Sequence, residues 1–201
     1  MTDKLARAKL ARAAAALNAR SGSVLPALVL MTDDERLADP ARAVQALPPG
    51  SMVVLRARQN ARRAELASEL RTITRIAGNK LLIANDADLA ERIEADGIHL
   101  PEAHAHEASH WRMLHPSWII TAAAHSLAAA HTPAVDAVFV GPVFQTSSHP
   151  GAAALGPAQL DLIARQSPVP VYALGGITAD NAQQLANIKL AGLAAIGALA
   201  V

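Results

Sequence analysis

Residues 80–100 read KLLIANDADLAERIEADGIHL, and this stretch decides the fold. It begins with an apolar run, Lys80–Ala84, continues through an amphipathic segment, Asp86–Ala95, and ends in a second apolar run, Gly97–Leu100. Neither run alternates apolar and polar residues, a pattern typical of parallel strands that are buried on both faces. The stretch therefore predicts a strand, a helix and a second strand parallel to the first.

The same alternation runs along most of the chain. Further buried strands are predicted at Ala27–Met31, Ser51–Ala57, Trp118–Ala122, Ala137–Gly141, Val169–Leu174 and Gly192–Ile196. Further helices are predicted at Asp39–Leu47, Asn60–Ile76, Ala105–Leu114, Ser126–Thr132, Pro157–Arg165 and Ala179–Asn187. Eight strands, each of the first seven followed by a helix, predict an α/β fold, the (β/α)8 TIM barrel. An open doubly wound sheet is the alternative.

The two ends of the chain depart from the regular barrel. Only the residues GALAV follow the eighth predicted strand, so a full C-terminal outer helix is missing, whereas an extra N-terminal helix is predicted at Thr2–Arg20. We expect a single TIM-barrel domain over residues 1–201, with the helix in residues 1–22 and the barrel in 23–201. Because a bare apolar flank promotes aggregation, we expect the N-terminal helix or a partner subunit to cover it, and favour a homodimer.

Composition narrows the possible functions. The chain has 201 residues, 18 Lys and Arg against 17 Asp and Glu, a formal net charge of +1 and no cysteine. This near-neutral charge disfavours nucleic-acid binding, and the lack of cysteine excludes thiol catalysis and cysteine-ligated metals. The apolar runs are too short for the hydrophobic region of a signal peptide and too short to span a membrane. We therefore expect a cytoplasmic protein without a membrane partner.

Glycines mark the ends of the last two strands. Gly175 and Gly176 follow strand 7, and Gly197 follows strand 8. In TIM barrels the loops after these strands commonly hold phosphate, and glycine lets backbone N–H groups approach an anion. A phosphate cup is predicted here, with tight turns that simply require glycine as the alternative.

Polar residues follow the other strands at the same rim. They are Arg56 and Arg58, Asn85 and Asp86, His99, His125, and the loop residues Thr146, Ser148 and His149. The hydroxyl-rich loop of residues 141–151 suits a lid over a phosphorylated ligand. Structural alternatives remain open: Asn85 and Asp86 could cap a helix, His99 could be a core histidine, and His125 could start a helix.

A competing motif lies at His106–His110, which reads HEASH and so matches HExxH. On a helix this spacing places two imidazoles on one face, where they bind zinc. The predicted helix is short and peripheral, and a third histidine at the expected spacing is missing. Zinc hydrolysis is therefore disfavoured, and adventitious metal binding stays open.

Several motifs together resemble one enzyme family. In chain order they are LRAR at 55–58, LIAND at 82–86, ADGIHL at 95–100, VDAVFVGPVFQT at 135–146, and ALGGI at 173–177 followed by Asn181. This ordered set resembles the thiamine phosphate synthase and TenI family over roughly Ala27 to Leu199. The resemblance implies a (β/α)8 barrel and a role in thiamine biosynthesis. Synthase members join a pyrimidine methyl diphosphate to a thiazole phosphate and expel pyrophosphate with Mg²⁺, whereas TenI members aromatise a thiazole phosphate carboxylate by moving protons.

Departures from the family pattern favour the second reaction. His104 stands where the family has a second metal-binding aspartate, and His149 where it has a lysine. Ala123 and Ala87 replace a serine and an arginine, and Arg58 stands in place of a lysine. These changes fall in the half of the site that the resemblance assigns to pyrophosphate and metal.

The resemblance and the residues together predict a TenI-like thiazole tautomerase that binds a phosphorylated thiazole. Its expected catalytic residues are His125, His99 and His149. Its expected substrate- and phosphate-binding residues are Arg56, Arg58, Asn85, Thr146, Ser148, Gly175, Gly176 and Gly197. No cofactor is expected, except Mg²⁺ at Asp86 if the protein is a synthase; Asp86 alone is a poor magnesium site, which Glu102 or a substrate diphosphate could complete. A thiamine phosphate synthase and a non-catalytic ligand-binding homologue are the alternatives.

Overall fold

The strands form a closed parallel barrel in chain order, in which β8 pairs with β1. The computed structural model describes residues 2–56, 62–146 and 154–200. The strands are β1 Leu28–Met31, β2 Met52–Leu55, β3 Lys80–Ala84, β4 Gly97–Leu100, β5 Ile119–Ala124, β6 Ala137–Val140, β7 Val171–Leu174 and β8 Gly192–Ala195. Nearly every strand residue is buried, which confirms the interpretation of the apolar runs and the predicted TIM barrel.

Helices connect the strands on the outside of the barrel. The α-helices are α1 Thr2–Ser21, α2 Pro40–Gln45, α3 Arg63–Ala77, α4 Ala87–Arg92, α5 Ala108–Leu114 and α6 Gly156–Gln166. Short 3-10 helices lie at Glu102–Glu107, Ala129–His131, Ala182–Leu185 and Gly197–Leu199. None of the helices in the described ranges is long and apolar enough to cross a bilayer.

Two predicted helices, Ser126–Thr132 and Ala179–Asn187, are wrong in type. Each contains only a short 3-10 helix. Side chains capture the backbone at both places: Ser126 Oγ accepts from the N–H of Ala129, and Asn181 Oδ1 accepts from the N–H of Thr178. Local bonds of this kind compete with the α-helical ladder and favour turns.

Helix α1 occupies the flank of the barrel that lacks an eighth outer helix. Leu10, Ala14 and Leu17 bury one side of α1 in the main core. Asn18 Nδ2 donates to the carbonyls of Leu25 at 2.9 Å and Ala191 at 2.7 Å, which joins the helix to the segments that lead into β1 and β8 at the amino-terminal end of the closing seam. The expectation that the N-terminal helix covers this flank is confirmed.

The barrel interior has its own core, separate from the layer between strands and helices. Phe139 and Tyr172 stack at its centre with 4.7 Å between ring centroids. The Tyr172 hydroxyl donates to the carbonyl of Pro26 at 2.6 Å, and burial raises the pKa of this phenol. Since the interior is filled by side chains, a ligand site has to lie at the rim.

Candidate functional site at the carboxyl ends of the strands

A cavity of about 280 Å³ opens between the loops after β7 and β8. Its lining includes Gly175, Gly176 and Gly197, together with Thr146 and Arg36. The structure thus brings together four of the residues predicted for phosphate binding and adds one cation. We call this cavity the rim cup.

The glycines of the rim cup serve two different purposes. Gly175 and Gly176 have φ values of +97° and +66°, and a Cβ on them would lie 2.6 Å from Pro142 Cα and 2.5 Å from the Gln145 carbonyl oxygen. These two glycines therefore allow the β7 turn to pack against the loop after β6, as the tight-turn alternative holds. A Cβ on Gly197 would meet no atom within 4 Å, so packing does not require glycine there.

Asn181 holds the turn after β7 in place. Its Nδ2 donates to the Gly176 carbonyl at 2.8 Å, and its Oδ1 accepts from the N–H of Thr178 at 2.8 Å. On the other side of the turn, the N–H of Phe144 donates to the Gly175 carbonyl at 3.0 Å. Hydrogen bonds within the protein therefore fix the backbone of this wall, as a preformed anion site requires.

Arg36 is the residue of the rim cup that the sequence analysis missed. It lies in the loop after β1, and its guanidinium binds the Asp33 carboxylate through Nη2 at 2.7 Å and Nε at 3.1 Å. These bonds lower the pKa of Asp33 to about 2. The closure of the barrel could have pointed to Arg36. Because β8 pairs with β1, the loop after β1 lies beside the loop after β8 at the same end of the barrel.

His125 follows β5 directly, at the same end of the barrel. Its Nδ1 lies 2.7 Å from Glu102 Oε2, and the same oxygen accepts the backbone N–H of His125 at 2.7 Å. The imidazole is 63% exposed, so solutes can reach it. An accessible imidazole held by a carboxylate is suited to moving protons near neutral pH.

His99, predicted as catalytic, lies inside the barrel and is only 6% exposed. Its Nδ1 lies 3.0 Å from Thr121 Oγ1, and its ring meets Phe139 edge-on with 5.0 Å between centroids. These contacts match the core-histidine alternative. Direct contact between His99 and a ligand bound at the rim is not supported by this placement.

The residues after β3 do not fit a magnesium site. Asp86 caps α4 by accepting the N–H of Leu89 at 3.0 Å with Oδ1, and its Oδ2 accepts from Arg63 Nη1 at 2.6 Å. Mg²⁺ requires carboxylate oxygens in near-octahedral geometry, whereas a guanidinium already neutralises this carboxylate. Within the described ranges, no group of three His, Asp or Glu side chains could hold a metal ion.

Asn85 and Arg56 lie at the same rim as predicted. Asn85 has a φ of +52°, and its N–H donates to the His99 carbonyl at 3.0 Å, which ties the ends of β3 and β4 together. The backbone N–H of Arg56 donates to Thr32 Oγ1 at 2.9 Å, and the side chain is half-buried. Contact of either side chain with a ligand stays a prediction. Arg58, Ser148 and His149 lie outside the described residues.

The HExxH motif does not form a zinc site. His106 belongs to a 3-10 helix and His110 to α5, so the motif does not lie on one continuous α-helix. Glu107 is occupied by His104 Nδ1 at 3.1 Å and by Trp111 Nε1 at 3.4 Å. In the part of the chain that the structure describes, these residues are not part of any group of three His, Asp or Glu side chains that could hold a metal ion, which disfavours a catalytic zinc site.

Comparison with known proteins identifies the family. A family profile described as thiamine monophosphate synthase matches residues 28–199. The chain belongs to this family. A thiamine phosphate pyrophosphorylase from Pyrococcus furiosus has a structure similar to this one, with a TM-score of 0.70, 26% identity and 84% of each chain covered. The family match begins at β1 and ends after β8, so it spans the whole barrel and both loops of the rim cup.

Curated relatives agree with the family but differ in length. A thiamine-phosphate synthase from Bacillus velezensis is 28% identical over 188 residues, which are 88% of this chain and 84% of that protein. A relative from Aquifex aeolicus is 39% identical over 117 residues, 57% of this chain and 62% of that protein. A thiamine-phosphate synthase from Nostoc matches over only 35% of its length. The chain thus spans less than two thirds of the last two relatives.

Proposed function

We propose that this protein acts in thiamine biosynthesis, where it binds a thiazole phosphate in the rim cup and catalyses a TenI-like tautomerisation of the thiazole ring. Membership of the thiamine monophosphate synthase family and the similarity to thiamine-phosphate synthases support the pathway. One observation carries the finer assignment: the rim combines a preformed cup and an accessible imidazole with a carboxylate, Asp86, that caps α4 and pairs with Arg63. That rim is equipped for anion binding and proton transfer.

The chemistry required is modest. A proton leaves one atom of the non-aromatic thiazole ring and a proton is delivered to another, so atoms and charge balance without a co-reactant. The rim cup is lined by Gly175, Gly176 and Gly197, whose backbone is open to the phosphate, and by the Arg36 guanidinium, whose charge is balanced by Asp33 and which contributes N–H donors. His125 serves as acid and base, because a neutral imidazole has one nitrogen that donates a proton and another that accepts one.

A pair of imidazole variants tests this assignment. His125→Ala is expected to reduce tautomerisation by at least about a hundredfold, because it removes the acid–base group. Thiazole phosphate affinity is expected to change by less than about twofold, because a packed cup on other loops holds the phosphate. Proton NMR follows conversion of the thiazole phosphate carboxylate, and calorimetry follows binding.

His131→Ala is the matched control, since His131 is another exposed imidazole and its Nδ1 faces the Leu127 carbonyl at 2.9 Å. Its turnover is expected to equal that of the unmodified protein. Unchanged turnover in His125→Ala would remove this histidine from the mechanism.

Thiamine phosphate synthesis is the second candidate, and the similarity to thiamine-phosphate synthases favours it. It requires a pyrimidine diphosphate site in the half of the rim that contains Arg56 and Asp86. The protein is mixed with pyrimidine methyl diphosphate, thiazole phosphate and Mg²⁺, and thiamine phosphate is quantified by chromatography. Sustained formation of thiamine phosphate would replace the tautomerase assignment.

A further inference from the structure

We propose that Glu102 is a positioning residue for His125: its carboxylate holds the imidazole proton on Nδ1 and leaves Nε2 as the atom that accepts a proton. The tautomer assignment rests on geometry alone. Its catalytic consequence rests on the proposed function. The structure juxtaposes two chain segments to achieve this, one after β4 and the other after β5.

The geometry restricts the imidazole strongly. One oxygen, Glu102 Oε2, lies 2.7 Å from both the backbone nitrogen and Nδ1 of His125. A carboxylate that is ionised at neutral pH only accepts hydrogen bonds, so Nδ1 has to carry a proton to bond to it. Two contacts from one residue to one oxygen also fix the direction of the ring plane.

The strands set this meeting point. Leu100, the last residue of β4, pairs with Ala122 near the end of β5, so the loops that follow emerge side by side at the rim. Pro101 has a φ of −64° and an extended ψ of 156°, and Glu102 comes next. The carboxylate therefore reaches His125 from a rigid strand end, as a constellation with fixed geometry requires.

Stability does not explain the pair. Side-chain exposure is 63% for His125 and 39% for Glu102, and exposed ion pairs contribute only about 0–1 kcal/mol. Other imidazoles of the described chain also face carboxylates: His104 faces Glu107 at 3.1 Å, and His115 faces Glu91 at 2.8 Å. Neither of those residues directly follows a barrel strand at its carboxyl end, and their backbone N–H groups donate to carbonyls, His104 to Pro101 and His115 to Trp111.

Nitrogen NMR of the ring atoms tests the tautomer without any substrate. The full chain is labelled with ¹⁵N-histidine and measured at rising pH until the ring-nitrogen shifts of His125 no longer change, which defines the neutral ring. His125 signals are assigned by their loss in His125→Ala. We expect a protonated-type shift for Nδ1 and an unprotonated-type shift for Nε2. A His125 that carries its proton on Nε2 in the unmodified protein would overturn the proposal.

Variants then connect the tautomer to Glu102. Glu102→Ala is expected to move the proton towards Nε2, whereas Glu102→Gln keeps an oxygen acceptor and retains the Nδ1 proton. Glu107→Ala is the control, because it removes the carboxylate beside His104 and leaves His125 unchanged. A His125 spectrum that is identical in the unmodified protein and Glu102→Ala would overturn the proposal. If Glu102→Ala does not fold, the tautomer of His125 in the unmodified protein still tests the proposal.

Turnover separates this proposal from the proposed function. For tautomerisation, Glu102→Ala is expected to lower kcat about tenfold with KM unchanged, because proton transfer is impaired while the rim cup is intact. The expected tautomer without any tautomerase activity would reject the proposed function and leave the role of Glu102 in place. Tautomerase activity in a protein whose His125 carries its proton on Nε2 would support the proposed function and reject the role of Glu102.

Discussion

At the scale of single residues, the rim cup separates glycines that shape the backbone from the glycine that leaves space. Gly175 and Gly176 are required by close contacts with the loop after β6, whereas Gly197 faces open space. All three follow strands 7 and 8 in the sequence. From the sequence alone, a glycine at these places shows only that no side chain is present. Which role each plays depends on contacts made by residues far away in the chain, and these emerge only in the folded barrel.

Gly197 allows a test by charge alone. Gly197→Asp is expected to weaken thiazole phosphate binding by about 10- to 100-fold, because it places a carboxylate beside the bound phosphate. Gly197→Asn has nearly the same shape without the charge, and its affinity is expected to be much closer to that of the unmodified protein. Calorimetry measures both. Equal affinities of the two variants would mean that the phosphate binds elsewhere.

Asp33 makes a contribution to stability that depends on pH. The hydrogen bonds from Arg36 lower the pKa of Asp33 from its ordinary value to about 2. Because the pKa is lower in the folded protein, the ionised Asp33 stabilises the fold at pH values above its ordinary pKa. This stabilisation is lost as the pH falls from about 4 to about 2. Asp33→Asn is expected to cost about 1 kcal/mol near neutral pH, since solvent screens the pair.

Urea unfolding of the unmodified protein and Asp33→Asn at several pH values measures this effect. The two free energies of unfolding are expected to converge as the pH approaches about 2. A difference that stays constant down to that pH would show that the Asp33 charge is not the cause.

At the scale of elements, apolar runs predicted all eight strands because both faces of a barrel strand are buried. Lys80–Ala84 and Gly97–Leu100 have the predicted bounds, and the other strands differ by a few residues at their ends. Helices were harder to predict, since an alanine-rich segment forms an α-helix only where side chains do not capture the backbone. The segments around Ser126 and Asn181 show how such capture leaves a 3-10 turn.

Helix α1 provides the test at this scale. Leu10 is 1% exposed and belongs to the main core, whereas Leu5 on the same helix is 56% exposed. Leu10→Ala is expected to lower the free energy of unfolding by about 2–5 kcal/mol through lost burial and a residual cavity. Leu5→Ala is the matched control and is expected to change it by less than about 0.5 kcal/mol. Equal effects in urea unfolding would show that α1 does not cover the barrel as described.

At the scale of the whole molecule, the two ends of the barrel differ in the contacts that their side chains make. At the amino-terminal end of β3, Asp96 binds Arg71 at 2.6 Å and accepts the N–H of Leu81 at 2.9 Å. Burial alone would raise the pKa of Asp96, but these contacts and Lys80 lower it. The opposite end carries the rim cup and the His125–Glu102 pair, which matches the division between stability and chemistry that is general in TIM barrels.

Much of the candidate site could be predicted from the sequence, and the rest depended on pairing across the fold. The glycines and His125 were predictable because residues that follow parallel strands share one rim. Arg36 and Glu102 were not singled out for their roles, since these come from contacts across the β8–β1 and β4–β5 boundaries. Asp86 looked like a metal ligand in the sequence because its partner, Arg63, lies 23 positions away.

The most direct test of the account is the product formed with and without metal. The protein is incubated with the non-aromatic thiazole phosphate carboxylate in EDTA, and in parallel with pyrimidine methyl diphosphate, thiazole phosphate and Mg²⁺. Products are separated by chromatography. The account predicts the aromatic thiazole tautomer at full rate in EDTA and no sustained thiamine phosphate. Thiamine phosphate formed only with Mg²⁺, with no tautomerisation in EDTA, would contradict it.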